Sequence, residues 1–86
     1  MAGYRILFKE SVRKDIDSIP VQDLRRTMER IGLLADDPRP AGSEKLSGQD
    51  RYRIRQGDYR ILYSIQDAEL MVWVVKEAHR REVYRR

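Results

Sequence analysis

YRIRQGDYRILY, residues 52–63, decides how the chain folds. Gly57-Asp58 divides two runs that alternate apolar and charged side chains, the pattern of a β-hairpin with a two-residue turn. With such a turn Gln56 faces Tyr59, Arg55 faces Arg60, Ile54 faces Ile61, Arg53 faces Leu62 and Tyr52 faces Tyr63, whereas a one-residue bulge near the glycine would change the pairing and keep the core sides together. Two surfaces follow from the period of two. Tyr52, Ile54, Ile61 and Tyr63 make a core side, and Arg53, Arg55 and Arg60 share the other.

Outward from the hairpin, Leu70–Lys76 reads as a third strand in immediate succession, turning near Asp67-Ala68 and adding Leu70, Val72 and Val74 to the core side. Its LMVWVV run is apolar on both faces, as in a strand with neighbours on either side. Upstream, Tyr4, Ile6 and Phe8 alternate with polar residues and predict a first strand. Val12, Ile16 and Ile19 recur at helical spacing before Pro20, and Leu24, Met28, Ile31 and Ala35 form a second helical stripe with Gln22, Asp23, Arg26 and Arg30 turned outward. DDPRPAGSE, residues 36–44, breaks that helix and is expected to be the main loop. The order β-α-α-β-β-β, plus a short C-terminal helix or tail, predicts an α+β fold: a small antiparallel sheet with a helical hairpin packed on one face.

Eighty-six residues suit one domain, 1–86, with a single small core. At 41% hydrophobic and 37% charged, the chain is too apolar to stay disordered. It has no cysteine and one histidine, which leaves no disulfide framework and no expectation of a metal or other cofactor. Nothing approaches the roughly 20 apolar residues of a membrane span, and no signal peptide is legible, so a cytoplasmic protein is expected. The net charge of +4 is uneven. Residues 1–50 carry nine basic and nine acidic side chains, whereas residues 51–86 carry nine and five. The later strands therefore favour a polyanion or an acidic partner.

Within the hairpin only Asp58 offsets three guanidiniums. Like charges opposite one another on a sheet are destabilising by some tenths of a kcal/mol up to about 1. Either an anion settles between them, a phosphodiester being the best match for the guanidinium fork, or the arginines splay into solvent and pair with acidic residues of the C-terminal tail. The same side carries Leu62, Met71, Trp73 and Val75, a patch that the tail, a partner helix or stacked nucleotide bases would cover.

The tail EAHRREVYRR, residues 77–86, adds His79, Arg80 and Tyr84. Histidine exchanges a proton near neutral pH, arginine stays charged, and a tyrosine orients or stacks on a base. Taken together, YRILF, the KDID helix, the PRPAGSEKLSG loop, YRIRQGDYRILYSI and the closing HRREVYR resemble the RelE/ParE family of bacterial toxins, and its RelE-like members most. The resemblance spans nearly the whole chain. It implies a RelE/ParE-like fold and a type II toxin that, when free of its cognate antitoxin, is an endoribonuclease cleaving messenger RNA in the ribosomal A site without metal. It also implies a partner segment that is acidic and amphipathic, and a hetero-oligomer that binds operator DNA through the antitoxin.

Position by position, the basic residues of the family's second strand match Arg53 and Arg55, and the arginine of the next strand matches Arg60. The late basic residue matches Arg80, with His79 before it, and the late tyrosine matches Tyr84. Lys45, Arg51 and Arg81 would hold RNA. Some relatives have lysines in the second strand, one of them proposed as general base; the arginines of this chain stay protonated, which leaves the base to His79 or to another group. Two other readings differ in class: a ParE-like inhibitor of DNA gyrase without nuclease activity, and a non-toxic module whose arginines hold an acidic peptide.

Overall fold

The computed structural model describes residues 3–46, 48 and 50–79. Its nucleus is the hairpin of β3 (Arg51–Gln56) and β4 (Tyr59–Gln66). Gly57 takes φ +60° and Asp58 stays out of the positive region, the pattern of a two-residue turn with glycine first. All five expected pairs form, and Arg51 facing Ser64 extends them.

The next strand, β5 (Met71–His79), pairs antiparallel with β4 but starts later than the sequence suggests. The turn uses residues 67–70, closed by the Leu70 amide donating to the Asp67 carbonyl at 3.1 Å with Leu70 at φ +53°. Leu70, expected in the core, is therefore turned out, 46% exposed. β5 also runs further than expected and takes in Glu77, Ala78 and His79. Its ladder shifts by one residue between Leu62 and Tyr63, so that Lys76 faces Leu62, Val74 faces Tyr63, and Val75 between them has no partner. That is a β-bulge, and beyond it each side chain leaves on the face opposite to simple alternation.

The sheet order is β1-β5-β4-β3-β2, with β1 (Arg5–Phe8) parallel to β5. The expectation of an antiparallel sheet is thus corrected at one edge. A parallel pair needs a long crossover, and the two helices and the hairpin supply it. At the other edge β2 (Glu44–Lys45), inside and just after the expected loop, pairs antiparallel with β3.

Helices α1 (Glu10–Asp17) and α2 (Val21–Leu33) pack on one face, α1 against β5 and α2 against β3. α2 is rotated slightly from the expected stripe: Thr27, Ile31 and Leu34 are buried, Met28 is 39% exposed, and Arg30 is half-buried rather than outward. Val12, Ile31, Leu34, Ile54, Ile61, Tyr63, Val72 and Val74 form the core. Tyr63 is wholly buried and its hydroxyl donates to the Pro38 carbonyl at 2.7 Å, so the phenol keeps a polar partner inside. Burial raises its pKa to about 12. Where β1 stops, the edge of β5 is met by Asp15 of α1, which accepts from the Glu77 amide at 3.2 Å and from Lys76 Nζ at 3.3 Å.

Candidate active site

No helix covers the second face of the sheet among the described residues. Alternation along β3 and β4 sends Arg51, Arg53, Arg55, Arg60, Leu62 and Ser64 to this face, and the row Leu7, Trp73, Ser64, Arg51 crosses it. At one end Arg53, Arg55 and Arg60 line a cavity of about 320 Å³ with Gly42 and Glu44. Arg55 and Arg60 face each other directly across the hairpin. Arg60 is only 5% exposed, so this lining residue is largely removed from water, which strengthens its pull on an anion.

The position of Glu44 is the feature that sequence reasoning missed. β2 sets it directly across from Arg53, and its Oε1 accepts a hydrogen bond from Arg53 Nη2 in an ion pair. That bond and the Arg53 charge, with Arg55 and Arg60 adding to them, hold the carboxyl below the usual carboxylate range. Arg53 thus has a counter-ion from its own chain, supplied by the short strand that follows the loop. The legible signal was an acidic residue beside Lys45 at the end of a Pro/Gly loop leading back to the hairpin.

The loop reaches the cavity because it is tied at two points. Pro38 holds Tyr63, and Arg39 donates to Asp67 through Nη1 at 3.2 Å and Nη2 at 2.9 Å and to the Tyr52 hydroxyl at 3.0 Å. Tyr4 donates to the same Asp67 at 2.7 Å. Hydrogen bonds from Arg39 and then Tyr4 lower the Asp67 pKa to about 2, and the Arg39 guanidinium is shifted upward in return. Gly42 then crosses over Arg30 at φ +95°, with Arg30 Nη2 3.7 Å from where a Cβ would stand. Only glycine adopts that conformation without strain.

Other expected site residues fall elsewhere. His79 does not join the arginines: the bulge puts it across from Tyr59, with ring centroids 5.3 Å apart and edge to face, on the side of Ile61. The resemblance leaves the general base to His79 or to another group, and His79 is not among the residues that line the arginine cavity. Lys45 faces Tyr52 and so leaves on the helix side of its edge strand, while Arg51 shares the open face with the cluster, exposed. Arg80, Arg81 and Tyr84 lie outside the described residues. Toward the far end of the open face, Trp73, Ser64 and Gln66 border a second cleft of about 450 Å³ with Phe8, Lys9 and Glu10. Among the described residues no group of three or more His, Asp or Glu converges as metal ligands, and no helix is long and apolar enough to cross a membrane.

With this geometry in place, comparison with known proteins is specific. The family model described as ParE toxin of type II toxin-antitoxin system, parDE, matches residues 6–84. Toxin RelG of Mycobacterium tuberculosis is 31% identical over 87 residues, covering 96% of this chain and 98% of its own. The archaeal RelE-RelB complex from Pyrococcus horikoshii OT3 superposes with a TM-score of 0.82 at 32% identity, over 91% of this chain and 96% of that one. The toxin-antitoxin complex RelBE2 from Mycobacterium tuberculosis does so with a TM-score of 0.80 at 26% identity, over 90% and 98%.

Proposed function

The chain belongs to the RelE/ParE family of type II toxins, and on that premise we propose that it is a ribosome-dependent endoribonuclease held inactive by a cognate antitoxin. The observation that carries the proposal is the cavity of Arg53, Arg55 and Arg60, three cations on one sheet face around a volume suited to a phosphodiester. The reaction is metal-independent attack of the RNA's own 2′-hydroxyl in the ribosomal A site. The 2′-oxygen bonds to phosphorus, the bond to the 5′-oxygen breaks, and the products are a 2′,3′-cyclic phosphate and a free 5′-hydroxyl.

Arg55 and Arg60 bind the phosphate and stabilise the charge that builds on its oxygens. Arg53 joins them once its carboxylate partner gives way, and Arg51 contacts the backbone of the strand further along. By resemblance, Arg80 supports the leaving oxygen and Tyr84 stacks on a base. Guanidiniums are poor bases, so the 2′-proton goes to a group other than these. Messenger and ribosome together supply much of the alignment, and bound geometry is worth about 7–11 kcal/mol in favourable cases. The antitoxin contributes an acidic, amphipathic segment; the basic cavity and the half-buried Leu62, Met71 and Trp73 of the open face suit both its charge and its apolar side.

Primer extension on ribosome-bound messages tests the reading. Arg60→Ala is expected to lower cleavage by about 10²–10³-fold, the effect of losing one preorganised charge donor. Wild-type cleavage by that variant would refute the central role of Arg60. Toxicity without cleavage, accompanied by loss of gyrase supercoiling, would move the protein to the gyrase-inhibitor reading.

A further inference from the structure

We propose that Glu44 is a built-in competitor for the anion site: its carboxylate occupies Arg53 in the free protein and must be displaced by a substrate phosphate before the third guanidinium can engage. The inference rests on the phosphodiester reading of the arginine cavity and adds to it a residue that sets affinity and selectivity.

Three observations meet at this residue. Its position is imposed by the backbone, because the two-residue β2 sets Glu44 directly across from Arg53. Glu44 lines the same cavity as Arg55 and Arg60, and its carboxylate takes up the Arg53 guanidinium that a phosphate oxygen would otherwise meet. Its contact is one that gives way: Arg53 is 34% and Glu44 65% exposed at the side chain, and ion pairs this open to water contribute little net stability. A carboxylate presents two oxygens to a guanidinium fork as a phosphate does, with a smaller charge than the pentacoordinate phosphorus formed during the 2′-oxygen attack. One of the three positive charges around the cavity is thereby neutralised at rest, and a single weak anion has to compete with an intramolecular one. A polyanion that also engages Arg55, Arg60 and Arg51 wins that competition.

The experiment measures binding of a short, fluorescently labelled all-2′-deoxy oligonucleotide, which cannot be cleaved, to the full chain by anisotropy at several salt concentrations. Glu44→Gln keeps the shape and removes the charge. It is expected to bind about twofold to fivefold tighter. The dependence of log K on log salt should steepen by about 0.7, one more phosphate neutralised. The gain should vanish in an Arg53→Gln background. Glu69→Gln, the same charge change in the distant 67–70 turn, should give less. Thermal unfolding verifies that each variant is folded. Unchanged or weaker binding by folded Glu44→Gln, or a gain that persists without Arg53, overturns the inference while leaving the phosphodiester reading intact provided Arg55→Ala still weakens binding. If wild type, Glu44→Gln and Arg55→Ala all fail to hold the oligonucleotide, the phosphodiester reading itself fails, and the inference with it.

Discussion

Arg60 and Ile61 follow one another in β4, are 5% and 0% exposed, and leave on opposite faces of the sheet. Ile61 enters the helix-covered side, where Ile54, Tyr63, Val72 and Val74 surround it and every step of packing removes apolar surface from water. Arg60 enters the open side, where its cross-strand neighbour is another arginine. Burial accounts for the first surface and does not account for the second. Two faces built on one backbone thus divide the labour: one holds the fold, and the other keeps repelling charges together at some expense to it.

Substitutions that separate the faces sharpen the contrast. The largest effect on folding is expected from Ile61→Ala, which leaves a cavity in a small core and costs about 2–5 kcal/mol, a large part of the stability of a domain this size. Chemical denaturation measures it. A loss within 0.5 kcal/mol, of the order of a neutral surface change, would mean that the helix-covered face is not what holds the protein.

Next comes the acid limb. Asp67 has its folded pKa lowered to about 2 from an ordinary 3.8, so the stabilisation from Arg39 and Tyr4 is present above the ordinary value and is lost as pH falls from about 4 to about 2. Unfolding temperatures recorded across that window should fall more steeply for the wild type than for Asp67→Asn. Parallel curves would remove the tie from the account of how the loop is held.

The smallest effect has the opposite sign. Arg55→Ala takes one of two facing cations off the open side and should raise stability by some tenths of a kcal/mol, while weakening oligonucleotide binding. A variant that lost stability and kept its affinity would reverse the assignment of the faces.

How far the sequence reached follows the same division. The β3–β4 register was legible to the residue because Gly57-Asp58 allows few turn geometries and because alternation fixes the faces once the turn is set. The helical pair and the general layout were legible from periodicity. What escaped were features imposed by partners far along the chain. β2 is two residues long and exists through its hydrogen bonds to β3. β1 lies parallel to β5, and no local pattern distinguishes a parallel edge from an antiparallel one. The arginine cluster could be read from three positions in one hairpin, but the carboxylate that meets it could not, since its place depends on how a Pro/Gly loop closes onto the sheet. The face on which His79 leaves the sheet was not legible for a related reason, the unpartnered Val75, which leaves no mark in a run of apolar residues.

Val75 also shows how lightly the chemistry of each surface is attached to the fold. Were Val75 paired like its neighbours, strict alternation from Met71 onward would deliver Glu77 and His79 beside the guanidiniums and would send Ala78 toward the helices. The bulge itself is the parity toggle: opening or closing it exchanges what either side of the strand displays beyond Val75, while the ladder on the near side keeps its register.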